Sequence, residues 1–264
     1  MPILFYLPGE LPVYTSSILI GIGGTLGMAW IAWRTPADDR VLYLDVGLWA
    51  LLGALIGGRL AFVLTNWSYF QMNTTEIPLV YLGGFSWPGA LLGGLSAIAI
   101  TAVIYQLPFG TLTDAMLPLL GTISVSAWLG CWLNGCAYGQ TTDAWWGLPA
   151  KDEWGIISIR APLQLFGALL SASLIGILIW GAARRVSPGV TTYLSIMGLS
   201  AIMLLISFLR VDPSQRWLGL RFDSWAAITL LGLSWLFLLV AFVKRVRDQP
   251  NDPNQRGINH TQPN

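Results

Sequence analysis

The run LYLDVGLWALLGALIGGRLAFVL, Leu42 to Leu64, decides the fold. It is 23 residues long and holds only two charges, Asp45 and Arg59. A helix rises about 1.5 Å per residue, so roughly 20 apolar residues cross a hydrocarbon core. Six other runs meet the same test: Tyr14 to Trp33, Trp87 to Tyr105, Ala115 to Trp132, Leu163 to Trp180, Val190 to Leu209 and Ser224 to Val243. They predict an all-α integral membrane protein, a polytopic bundle of about seven transmembrane helices forming one domain over residues 1–243. The polar Pro/Asn/Gln-rich tail, 244–264, is expected to be disordered and cytoplasmic.

Composition agrees. Hydrophobic residues make up 55% of the chain and charged residues 10%; mean hydropathy is +0.63. A soluble domain carries about a quarter charged residues, enough to coat its surface. The net charge of +1 leaves no basic face for a polyanion, and nucleic acid is excluded as a partner. Residues 1–12 have no basic residue ahead of their apolar stretch, so the first run reads as a retained span and not a cleaved signal.

Basic residues favour the cytoplasmic side of short loops. With the N-terminus outside, Arg34, Arg40, Arg184, Arg185, Lys244, Arg245, Arg247 and Arg256 lie inside, while Lys151, Arg160, Arg210, Arg216 and Arg221 lie outside. The balance favours N-out, C-in, and the outer arginines suit a lipid phosphate. Fourteen tryptophans include Trp67, Trp87, Trp145, Trp146 and Trp217 where an interfacial belt is expected. The segment Gly139 to Arg160 is long for a connector and is placed to cover a lateral opening. Glycine pairs Gly23/Gly27, Gly53/Gly57, Gly89/Gly93 and Gly135/Gly139 have the spacing of close helix packing.

Charges within apolar spans are costly and mark function or buried pairs. Arg59 follows two glycines, where its guanidinium fits a phosphate, a salt bridge with Asp45 or a snorkelling side chain. Asp114 opens the fourth run. His260 sits in the tail, which leaves the membrane body without an imidazole base. Cys131 and Cys136 are too few for a disulfide framework and match no zinc spacing; they read as small apolar residues, with a reactive thiol pair as the alternative. No metal or cofactor is expected.

In order along the chain, five stretches resemble the bacterial phosphatidylglycerol:prolipoprotein diacylglyceryl transferases. GGRLAFVL at 57–64 looks like the family's GGRLGYVL, and GGFSWPGALLGG at 83–94 like its GG(L/M)SFHGGLLGG. LGCWLNGCAYGQTTD at 129–143 is similar to GRxGNFxNGExxG or its cysteine-bearing variant. RAPLQLF at 160–166 resembles RHPxQLYE, and RVDP at 210–213 resembles REPD. Tyr14 matches a tyrosine at the mouth of the first helix.

The resemblance implies transfer of a diacylglyceryl group from phosphatidylglycerol to the lipobox cysteine of a preprolipoprotein, with glycerol phosphate leaving, at the outer face of a bacterial plasma (inner) membrane. The implied partners are a phosphatidylglycerol-type lipid and the lipoprotein signal peptide. Arg210 and Tyr14 would be catalytic; Arg59, Asn134, Gly135, Tyr138, Gly139 and Gln164 would bind lipid or peptide. Arg59, Arg210 and Tyr14 are then expected to gather beside a lipid entrance. Three family positions differ: the histidine falls on Pro88, the arginine on Trp128 and the acid on Cys136. They motivate the alternative of a homologue that binds lipid or precursor without transfer. A transporter reading lacks paired broken helices in matching halves.

Overall fold

Seven helices of the computed structural model are long and apolar enough to cross a membrane; residues 3–7, 11–182 and 187–247 are described. The chain is a multi-pass, all-α membrane protein. It opens with a hairpin, β1 (Ile3–Leu7) and β2 (Leu11–Tyr14), leading into α1 (Thr15–Arg34) and α2 (Arg40–Thr65). A short α3 (Trp67–Phe70) and two 3-10 turns, Thr74–Glu76 and Val80–Leu82, precede α4 (Trp87–Tyr105). Then come α5 (Phe109–Ala115), α6 (Leu117–Asn134), the hairpin β3 (Leu148–Lys151) and β4 (Ile157–Arg160), and α7 (Leu163–Ala182). The chain continues through α8 (Val190–Leu209), a small hairpin β5 (Arg216–Trp217) and β6 (Leu220–Arg221), and α9 (Phe222–Arg247).

Between 17% and 33% of each span's apolar window is buried against protein. The remaining apolar surface is what lipid covers, since helices apolar all round need an apolar solvent. In lipid no hydrophobic drive joins helices, so small residues that admit backbone contact do it. Gly53 and Gly57 of α2 face Gly89 and Gly93 of α4. A Cβ on Gly57 would stand 2.8 Å from the Gly93 Cα, and one on Gly53 would stand 2.7 Å from the Ala97 Cβ. Gly27 of α1 meets α6 in the same way, 2.7 Å from the Leu119 Cα. Gly135/Gly139 depart from that expectation. Gly135 caps α6 with φ +72°, and Gly139 lies in a β-bridge, so this pair shapes a turn and joins no helices.

Ile31, Val46, Ile98 and Leu112 form a buried cluster where α1, α2, α4 and α5 meet. Asp114, expected to open the fourth span, lies on α5, because Pro118 starts a separate helix at α6. Its carboxylate accepts from Gly189 N at 2.8 Å, Thr192 N at 2.9 Å and Thr192 Oγ1 at 2.6 Å, and so caps α8. Asp45 accepts from the Tyr105 hydroxyl and makes no bridge to Arg59. The last helix continues to Arg247, four residues into the expected tail. The rest of that tail, 248–264, with His260 and Arg256, lies outside the described residues, as do Arg184 and Arg185.

Candidate functional site

Alternating spans bring one set of helix ends together: the start of α1 with Tyr14, the ends of α2, α6 and α8, and the starts of α4 and α7. Tyr14 is half-buried at the mouth of α1, and β2 touches the 3-10 turn Val80–Leu82. Arg59 is buried and its guanidinium is committed to main chain. Nε donates to Ile77 O at 3.0 Å, Nη2 to Glu76 O at 2.6 Å, and Nη1 to the carbonyls of Gly83 and Gly84. The left-handed backbone of Gly83 (φ +81°) and Gly84 (φ +79°) lets that segment turn its carbonyls toward the arginine. Asp45, one expected partner, does not hold this side chain; it fastens residues 76–84 to the end of α2.

Arg210 sits in an ion cluster. Nε donates to Asp212 Oδ1 at 2.7 Å, Nη2 pairs with Asp212 Oδ2, and Nη1 reaches Asp223 at 3.3 Å. Arg221 pairs with Asp212 at 3.1 Å. Burial works against the charge of Arg210, but hydrogen bonds and attraction from Asp212 and Asp223 outweigh it and raise its pKa. Burial, and then repulsion by Arg210, lower that of Arg221. Two guanidiniums face two carboxylates, so the cluster is neutral as it stands. Arg59 is held by main chain and Arg210 by carboxylates, which corrects the expectation of free guanidiniums. A cavity of about 270 Å³ lies at the opposite end of the bundle, beside Arg34, Asp39, Tyr43 and Asp114.

The turn after α6 joins the cluster through backbone. Val211 N donates to Tyr138 O at 3.0 Å, and Gly139 bridges Arg210. Gly135 is required, since a Cβ there would meet Lys151 O at 3.1 Å on β3. Gln164 is fully buried and donates to Cys136 O at 2.7 Å. Its Oε1 and the Asn134 Oδ1 are buried acceptors without a donor, two open positions flanking the turn. Cys131 and Cys136 are joined as a disulfide across this turn, correcting their reading as small apolar residues or a thiol pair. A helix C-cap brings residues five apart close enough to bond, with Cα atoms 4.8 Å apart.

Tyr138 is buried, under Arg160 at 4.6 Å from its ring, and its hydroxyl donates to Glu153. Burial, then the Glu153 carboxylate, push its pKa up to about 12. A raised pKa favours the neutral phenol in the fold, so this contribution to stability is complete below pH 10, about the value for free tyrosine, and is lost as pH rises toward 12. Tyr138→Phe is expected to flatten that alkaline loss in melting curves without changing the acid side. The aromatic-rich segment 139–160 ends in the β3–β4 hairpin, and Trp145 in the loop before it is 95% exposed, as an interfacial anchor would be.

Two substitutions close space. Trp128 packs its ring on Gly167 of α7, and Pro88 is buried in the first turn of α4. Among residues not singled out from sequence are Asp223, Asp152 and Glu153; each is an ordinary charge between spans until the fold sets it beside an opposite charge or a hydroxyl.

Seven spans, with arginine, tyrosine and buried amide groups collected at one set of helix ends, define a polytopic membrane protein with a polar site at the bilayer surface. The sequence model of the prolipoprotein diacylglyceryl transferase family matches residues 2–240. The chain belongs to this family. It is 31% identical over 212 residues to the phosphatidylglycerol–prolipoprotein diacylglyceryl transferase of Nitrosomonas europaea, covering 78% of this chain and 69% of that one. The enzyme of the same name from Ruegeria pomeroyi is 30% identical over 234 residues, 80% and 79% of the two chains. That from Synechococcus elongatus is 29% identical over 249 residues, 87% and 85%.

Proposed function

We propose that this protein transfers the diacylglyceryl group of phosphatidylglycerol to a lipobox cysteine thiol, at the outer face of a bacterial inner membrane. The observation that carries the reading is the join between Arg210 and the 134–139 turn, within a chain that belongs to the transferase family. Arg210 receives the lipid phosphate by exchange for Asp223, which is the more exposed of its carboxylates at 28% and is held by a single contact of 3.3 Å. Charge on the cluster is thereby conserved. Gln164 holds the turn through its bond to Cys136 O at 2.7 Å and Asn134 ends α6 where the turn starts, so both act on the lipid through the turn. Gly135 and Gly139 shape the turn, Tyr138 lines it, and Tyr14 faces the peptide at the mouth of α1. Arg59 acts through the 76–84 segment that it fastens.

The test is complementation. A cell lacking its own transferase should be rescued by this chain and lose rescue with Arg210→Ala at equal membrane expression; no rescue by the parent chain would defeat the assignment. A second reading, lipid or precursor binding without transfer, is favoured by Pro88 and Trp128, which supply neither proton acceptor nor charge. Copurified phosphatidylglycerol without any labelling of a lipobox peptide would select it.

The N-out orientation rests on the basic-residue count, and the disulfide supports it, because disulfides persist outside the reducing cytoplasm. A membrane-impermeant maleimide should label Cys131 and Cys136 in intact cells after an external reductant and not before. Labelling only after the membrane is opened would reverse the topology. Closing so short a loop contributes about 2 kcal/mol in the chain-entropy picture, so reduction should lower the melting point measurably.

A further inference from the structure

Diacylglyceryl transfer to a thiol makes a demand that the family substitutions leave unmet. A carbon–sulfur bond forms and the carbon–oxygen bond to phosphate breaks. The electron pair leaves on glycerol phosphate, and the thiol proton must go to a base. Pro88 and Cys136 stand where the family has a histidine and an acid, and the described residues include no histidine.

Resting on the proposed transfer, we infer that Glu153, on the β3–β4 hairpin, accepts the proton of the acceptor thiol. Four other carboxylates described at this end are engaged, and Asp143, exposed on the loop before β3, makes no bond to the 134–139 turn. Asp212 holds Arg210 and Arg221, and Asp223 holds Arg210. Asp152 pairs with Arg160 at 3.3 Å and receives Trp154 N at 3.1 Å and Ile156 N at 2.9 Å. Glu76 bonds the exposed Tyr69, away from the 134–139 turn.

Glu153 differs from all of them. It is exposed, and its hydrogen-bond partner is the Tyr138 hydroxyl, a neutral group on the turn that joins Arg210. The groups facing this pair are Arg160 over the Tyr138 ring, Lys151 and Asp152 on the same hairpin, and Asp212 beyond Tyr138. Arg160 is matched by Asp152, so no cation is dedicated to Glu153.

The hairpin also presents the carboxylate in a suitable place. Its tip is fixed by the Asp152 side chain and by Gly155 at φ +82°. Trp154, Ile156 and Ile157 are exposed around it, an apolar rim that seats at the headgroup level, where a lipobox cysteine emerges from the signal helix. The proton leaves for Glu153 as the carbon–sulfur bond forms, and passes from there to water or the departing phosphate.

The experiment reconstitutes the full chain in phosphatidylglycerol vesicles with a synthetic lipobox peptide and compares parent, E153Q and E153D across pH 5.5–9.5. Loss of a general base costs on the order of 10²–10⁴ in rate. E153Q should fall by that much at neutral pH and recover part of it above about pH 8.5, where the thiol ionises unaided. E153D should keep a neutral-pH rate well above that of E153Q. Activity of E153Q within threefold of the parent at every pH would overturn the inference. So would an equal loss at all pH values, which marks a structural role, or an E153D protein that melts like the parent and is no faster than E153Q. A parent that holds lipid but transfers nothing defeats the transfer reading itself, and this assignment falls with it.

Discussion

Asp212→Ala is expected to cost roughly 3–5 kcal/mol of stability, the range for breaking a buried ion pair by removing one partner. Asp212 bonds Arg210 through both oxygens and pairs by charge alone with Arg221 Nη2 at 3.1 Å, which is out of line for a hydrogen bond, and the three side chains are 10% exposed or less. Without it two desolvated guanidiniums keep only Asp223, which touches Arg210 alone, at 3.3 Å. The loss should appear as a large drop in the melting point of the detergent-solubilised protein, or as a shorter half-life on warming if unfolding is irreversible. Asp223→Ala provides the contrast. Its carboxylate is nearer solvent and should cost about 1 kcal/mol or less. Pairing Asp212→Ala with Arg221→Met should recover part of the loss, since one stranded charge goes with it. Equal, small effects of the two aspartate substitutions would mean that the cluster is hydrated.

Gly93→Leu should be as damaging, by a different cause. A Cβ at this position falls on the Gly53 carbonyl oxygen and stands 2.9 Å from the Gly57 Cα, both of them backbone. A side chain can rotate away from a clash, but two helix backbones must separate, and overpacking of this kind costs roughly 3 kcal/mol or more. Function should go as well, because α2 carries Arg59, the 76–84 segment that it fastens leads directly into α4, and Ser86 N donates to Gly58 O at 3.0 Å. Gly176→Leu is the control. Nothing lies within 4 Å of a Cβ there, and the exposed helix position should accept leucine, with a gain of up to about 1 kcal/mol from helix propensity. Melting and transfer measured on both variants check the pair of expectations; a Gly93→Leu protein that melts like the parent would refute the close α2–α4 seam.

The Arg210 cluster bears on the substitutions at Pro88 and Trp128. A transferase that has exchanged a cation for Trp128 has less charge to offer a phosphate, and here the remaining arginine is balanced by aspartates. In the proposed exchange phosphate would replace Asp223 beside Arg210 and keep that balance, without a standing positive pocket. The disulfide rigidifies the same turn from the other side, at the position of the family acid.

Hydropathy and spacing are enough to read the seven spans and the packing glycines of α1, α2 and α4, because a bilayer imposes a length and an apolarity on each crossing that local sequence must meet; the family likeness rests on five motif stretches that resemble it. Pairing was another matter. Arg59 could bind a phosphate, Asp45 or main chain, and only the return of residues 76–84 over the end of α2 supplied four carbonyls. Cys131 and Cys136 became a disulfide through the αL cap at Gly135. Asp223 and Arg221 reached Arg210 and Asp212 when α8 and α9 were brought side by side. Charge and hydrogen-bond partners are chosen by distance in space, which residue order along the chain does not encode locally, whereas burial in lipid is felt by each helix alone.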